Sequence, residues 1–138
     1  EVMTTKEQSV SLTDLQALRV YAKMVNTMNT EHLAPHLADD FVYESQMVFK
    51  PIKSKIDFLD FMNSKLETIA NCRSTLFAEM GTIQAYFKRQ PCIILAQDEK
   101  NNLIGTALAK VEGNKLKRID LCIFPPPETA ERSGEYPK

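Results

Sequence analysis

Apolar positions in the first part of the chain recur at spacings of three and four. Leu15, Leu18, Tyr21 with Ala22, Val25 and Met28 make one broad stripe, which predicts an amphipathic helix ending near Asn29. Ser11-Leu12-Thr13-Asp14 supplies its start: the Ser11 hydroxyl can accept from a first-turn N–H, and Asp14 complements the positive helix end. Thr30 caps a short second helix over 31–37, with Leu33 and Leu37 inward. Asp39-Asp40 makes a turn, and 41–45 reads as a strand with 47–49 as its short partner, stopped by Pro51. Ser54-Lys55-Ile56-Asp57 repeats the capping signature. Behind it Ile56, Leu59, Met62, Leu66 and Ile69 form a second stripe, widened by Phe58 and Phe61. So much aromatic surface suits a helix lying across a sheet.

After Asn71 the periods become short. Strands are predicted over 74–80, 83–88, 92–97, 103–111 and 115–123, with Gly81 as a bulge or bend. Residues 98–102 form a polar turn, and Glu112-Gly113-Asn114 a tight hairpin. Helices first and antiparallel strands afterwards define an α+β domain: one curved antiparallel sheet with helices on one face. The single domain is expected over 12–124, between a flexible segment 1–11 and a Pro-rich, mobile tail 125–138. A sheet curved about helices leaves a cavity between them, a natural ligand site.

Composition adds exclusions. At 138 residues with 43% apolar content, one domain with a sizeable core is expected. Seventeen basic against eighteen acidic residues give a net charge of -1, so no global field favours nucleic acid or an anionic membrane. No apolar run approaches the roughly 18 residues of a membrane span. Lys50, Lys53, Lys55, Lys65 and Arg73 form a locally basic stretch, but Asp57, Asp60 and Glu67 offset it and a solvated helix face explains it. The odd set Cys72, Cys92 and Cys122 has no zinc-knuckle pairing; free packed thiols imply a reducing compartment, hence the cytoplasm. Four glycines leave no phosphate-cradling loop, and no cofactor is implied. His32 and His36 stand four apart, yet Pro35 intervenes and no third ligand is evident, so no metal site is assigned.

The order of these elements resembles the nuclear transport factor 2-like superfamily, in its SnoaL-like and ketosteroid isomerase-like branch. The resemblance rests on the long first helix, Leu37-Ala38-Asp39-Asp40-Phe41, the strand at 42–45, the helix after Lys53-Ser54-Lys55 and the closing hairpin over 112–119. It covers roughly residues 12–124. It implies a cone-shaped sheet wrapped on three N-terminal helices, with an apolar pocket at its wide end and homodimerisation through the outer sheet face. It does not imply one activity, because the fold hosts enzymes, binding proteins and transport factors.

Carried over by position, the isomerase oxyanion tyrosine falls on Tyr21, whose phenol can donate to a carbonyl or enolate oxygen or simply pack in the core. The general base falls on Ser45, which is too weak a base for that role. Glu44 is adjacent but faces outward if Phe41, Tyr43 and Ser45 face the cone, unless a bulge at Gln46 reverses it. The second oxyanion donor falls within Thr106-Ala107-Leu108, where no acid stands. Arg118-Ile119-Asp120 resembles the Arg/Asp pair of limonene epoxide hydrolase-like members. Alternation, however, turns Ile119, Leu121 and Ile123 into the cone and sends Arg118 and Asp120 to the outer face. Scytalone dehydratase-like members need cavity histidines, and both histidines here precede the sheet.

The first reading is therefore a small-molecule-binding protein whose partner is a small hydrophobic molecule. Its pocket is expected to include Tyr21, Met24, Phe41, Tyr43, Ser45, Phe58, Met62, Gln97, Ile119, Leu121 and Ile123. The methionines fill gaps or adapt the pocket to ligand shape. Glu79 and Gln97 interrupt apolar strands, and periodicity leaves their facing open. A second reading is an isomerase, cyclase or dehydratase on a hydrophobic carbonyl compound, with Tyr21 as donor and Glu44 or Glu79 as base. A third is a protein-interaction module using the outer sheet face.

Overall fold

A computed structural model describes residues 12–48 and 50–138. The expected N-terminal segment 1–11, with Ser11 as helix cap, and Phe49 lie outside the described residues. The first helix, α1 (Asp14–Thr27), is capped by Thr13 in a reciprocal box: Gln16 N donates to Thr13 Oγ1 at 3.0 Å and Thr13 N to Gln16 Oε1 at 2.9 Å. Met28 ends it in a left-handed conformation, its N–H bonding back to the last turn. The expected short second helix resolves into two 3-10 turns, Thr30–His32 and Ala34–His36, because Pro35 opens a new turn instead of continuing the first. The second α-helix, α2 (Lys55–Asn71), starts where the sequence predicts, with Ser54 Oγ accepting from Asp57 N at 3.0 Å.

The strands are β1 (Leu37–Ser45), β2 (Leu76–Ala85), β3 (Lys88–Gln97), β4 (Leu103–Glu112), β5 (Lys115–Cys122) and a short β6 (Glu131–Arg132). They form one sheet in the order β1-β5-β4-β3-β2-β6. The sheet is mixed: β1 runs parallel to β5, and the other neighbours are antiparallel. This refines the expected antiparallel sheet, and follows because α2 and three strands separate β1 from β5 in the chain. Tyr43 pairs with Ile52, N–H to C=O in both directions, so the segment after Pro51 takes the pairing expected for 47–49, of which Met47 and Val48 are not in a strand.

Helices α1 and α2 pack on the inner face. Leu18, Met24, Phe41, Phe58, Ile93 and Ile119 are among the fully buried side chains of this layer. A smaller cluster lies on the outer face, formed by Ile83, Ala85, Cys92, Ile94, Leu108 and Cys122.

Two strand boundaries differ from expectation. The predicted strands at 74–80 and 83–88 are one strand, and the chain reverses later, at Tyr86 and Phe87, both with positive φ (53° and 67°). A two-residue reversal between paired Ala85 and Lys88 requires that backbone, which glycine or asparagine adopts more readily. Gly81 is the site of a close approach: a Cβ there would stand 2.5 Å from the Glu131 carbonyl oxygen.

The expected mobile tail is a correction. After Phe124 the chain makes a 3-10 turn, Pro127–Thr129, that buries Pro127 against the sheet, and β6 then pairs with Gly81 and Thr82. Backbone bonds at 2.9 Å (Met80 N to Glu135 O) and 3.1 Å (Ser133 N to Met80 O) extend the attachment. The end of the chain thus shields the β2–β4 part of the outer face.

Candidate functional site

Between the helices and the inner face lies a cavity of about 430 Å³, within the range of roughly 300–1,000 Å³ usual for small-molecule sites. Helix α1 contributes Tyr21 and Val25, and α2 contributes Met62, Lys65, Leu66 and Ile69. The sheet supplies Leu76, Leu95, Gln97, Ile104 and Leu121, and exposed Met47 stands at the edge. Gly105 also lines it; a Cβ there would meet the Cys122 carbonyl oxygen at 2.9 Å.

The wall is mostly apolar, with few polar groups. Tyr21 lines the cavity, and the buried phenol of Tyr43 is close enough to influence that of Tyr21. Burial pushes the Tyr21 phenol well above its ordinary range, and the neighbouring Tyr43 adds to this. Burial likewise carries Tyr43 up to about 12, against the opposing effect of the neighbouring Tyr21 phenol. Gln97 Nε2 donates to Ser74 Oγ at 2.9 Å, and that hydroxyl donates to Asp98 Oδ1 at 2.7 Å, fixing the amide. Lys65 is partly buried, and desolvation holds its ammonium below the usual lysine range. Among the described residues, no aspartate or glutamate lines this cavity.

Of the residues expected in the pocket, Tyr21, Met62, Gln97 and Leu121 line the cavity. Met24, Phe41, Phe58 and Ile119 are instead sealed in the core, because Phe58 packs edge-on against Phe41 with ring centroids 4.8 Å apart and fills that end of the cone. Tyr43 joins the same packing, with ring centroids 5.1 Å from Phe58, and does not line the cavity. Ser45 takes the inner register beside Leu121, but its Oγ accepts from Met47 N at 3.1 Å and closes a turn. Ile123 lies past the end of β5, 44% exposed, where Gln46 Oε1 holds its backbone; it does not line the cavity.

Neither candidate base enters the cone. Glu44 pairs in register with Asp120 on the outer face and forms an ion pair with Arg118. Arg118 also grips Asp120 through Nε, 3.0 Å from Oδ2, so the Arg118–Asp120 pair is an outer-face ion pair, as alternation predicts. Glu79 is buried on the outward side of β2. There it accepts from Arg132 Nε and Gly134 N, each at 2.8 Å, and from the Tyr136 hydroxyl at 3.2 Å. It anchors the chain end. The isomerase-type reading with Glu44 or Glu79 as base therefore loses its base.

Lys65, Leu76, Leu95 and Ile104 were not singled out for the pocket by the sequence. Leu76 and Leu95 carried an inward signal in their strand alternation, Ile104 is out of phase with Ala107 and Ala109 and turns inward only through the register shift beside it, and Lys65 read as one of several solvated lysines.

No family model matches the chain, and no curated protein matches its sequence. Solved structures do match its fold. An NTF2-like protein of unknown function from Cytophaga hutchinsonii is similar with a TM-score of 0.58 at 12% identity, over 86% of this chain and 96% of that one. A candidate polyketide cyclase from Pseudomonas putida gives 0.56 at 14% identity, over 79% and 90%. A candidate ketosteroid isomerase from Kribbella flavida gives 0.55 at 15% identity, over 78% and 75%. The chain has the nuclear transport factor 2-like fold, the α+β cone that the element order implied. Among the described residues, no helix is long and apolar enough to cross a membrane.

Proposed function

We propose that the protein binds a small hydrophobic molecule in the cavity between its helices and its sheet. The observation that carries this reading is an apolar space of about 430 Å³ whose wall, among the described residues, holds no carboxylate. Apolar lining supplies affinity at about 25 cal/mol per Å² buried, and Tyr21 and Gln97 orient a polar group of the ligand. The wall offers hydrogen-bond donors but no carboxylate base, which favours binding over proton-shuttling catalysis.

The neutral fluorophore N-phenyl-1-naphthylamine tests this. Saturable enhancement at one probe per chain, lost in Leu121→Trp and in Ile104→Trp, is expected. Enhancement that survives both fillings overturns the reading.

A homodimer through the outer sheet face belongs to the same proposal, now confined to β1 and β5. There Glu44, Arg118 and Asp120 are partly exposed beside Tyr86. Sedimentation at high concentration is expected to give a dimer; a monomer contradicts it. The free thiols Cys72, Cys92 and Cys122 fit a reducing, cytoplasmic setting.

A further inference from the structure

The cavity is apolar and free of carboxylates among the described residues, yet one wall residue carries a full charge. Lys65 projects from α2 between Phe61 and Ile69, one turn away on either side. Its Nζ stands 5.7 Å from the Phe61 ring centroid, and among the described residues no carboxylate lies within 4.0 Å of it. Other lysines of the chain also lack a carboxylate partner; what distinguishes Lys65 is that it does so while lining the cavity. A lysine exposed to water needs none, but Lys65 has lost part of its hydration to Met62, Leu66 and the cavity wall. Burial depresses the affinity of its amine for a proton, which is the signature of a charge left short of solvation. An anion arriving in the cavity would restore what burial removed, and a charge-assisted hydrogen bond in such a setting is stronger than a neutral one. Among the other polar wall groups, Tyr21 presents a hydroxyl and Gln97 an amide.

Resting on the proposed cavity, we infer that its ligand is an amphipathic acid: an apolar body in the pocket and a carboxylate paired with the Lys65 ammonium. The apolar wall accounts for the body, and the single cation that the described residues place at the wall accounts for the head group. A neutral ligand of the same shape leaves Lys65 unpaired and binds more weakly.

The test is calorimetric titration with a matched pair of probes, decanoate and decanol, into the intact chain. The unmodified protein is expected to bind decanoate at least about tenfold more tightly than decanol, the size of a charge-assisted contact. Lys65→Met should lose that preference, and Lys65→Arg should keep most of it. Since Lys65 is not fully buried, these variants are expected to fold, and their circular dichroism is compared first. Equal binding of the two probes by the unmodified protein, or a carboxylate preference that survives Lys65→Met, overturns the assignment of Lys65 and leaves the cavity reading standing. If neither probe binds, both the cavity reading and the assignment fall.

Discussion

Arg132 Nε donates to Glu79 Oε1 at 2.8 Å, joining the short last strand to a carboxylate buried on the second. The contact decides what Glu79 is for. A carboxylate this far from solvent needs partners, and it has three: Arg132, the Gly134 N–H and the Tyr136 hydroxyl. All three come from the end of the chain, so Glu79 is the anchor of that segment. Arg132→Ala should destabilise the protein by about 1–3 kcal/mol in urea titration, since it leaves the buried charge with weaker partners. Probe binding in the cavity should be unchanged in Glu79→Gln. A loss of binding there without a loss of fold would place Glu79 back in the site.

Gly81 reports on the same attachment from the backbone side. Its missing side chain lets the Glu131 carbonyl oxygen and Ile94 Cδ1 approach to 2.5 and 2.7 Å of a would-be Cβ. Gly81→Ala should cost about 1–3 kcal/mol as overpacking and free the chain end for cleavage. Limited proteolysis reads this as early cuts after Phe124. A variant as resistant as the parent would show that the close approach is relieved without cost.

The hairpin at Tyr86 and Phe87 stores strain of a different kind. Phe87 is fully exposed with φ of 67°, and its ring gains nothing from burial that would offset a left-handed backbone. Phe87→Gly is expected to stabilise the protein by about 1 kcal/mol, seen as a higher thermal midpoint. A lower midpoint would mean that the ring makes a contact worth more than the strain.

The two buried phenols set an alkaline limit. Tyr21 and Tyr43 hold their protons above the ordinary tyrosine value of 10.0, Tyr43 up to about 12. Above pH 10 the unfolded chain therefore binds fewer protons than the folded one, and stability falls as pH rises from 10 through 12. Tyr43 alone accounts for about 2–3 kcal/mol of that fall. Urea midpoints measured between pH 8 and 11 should show the decline in the parent and a shallower one in Tyr43→Phe. Equal slopes would contradict the burial of this pair.

Much of the frame was legible because local chemistry and global packing agree. Ser54 and its acceptor geometry mark the start of α2 in both. Alternation correctly places Phe41 and Tyr43 inward and Glu44 outward, since one residue of slippage would bury the charge. Local signals fail where partners are remote. Arg132 meets Glu79 across 53 residues, so nothing near Pro125 announces that the chain resumes as a strand. Tyr86-Phe87 lacks the turn residues that its backbone calls for, and so reads as more strand. The pocket was half legible: stripes identify inward positions but not which end of the cone is packed. Phe58 fills one end, and the open space lies by Met62 and Leu66 instead. Lys65 carries the same sequence signature as its solvated neighbours, and only the fold distinguishes it.

The cavity as the binding site is tested most directly by methyl resonances of methionine labelled with 13C and titrated with decanol. Met47 and Met62 line the space, whereas Met24 is packed away from it. Saturable shifts at Met47 and Met62, with Met24 nearly still, are the predicted result. Binding that leaves Met47 and Met62 unmoved, or no saturable shift at any methionine, would contradict it.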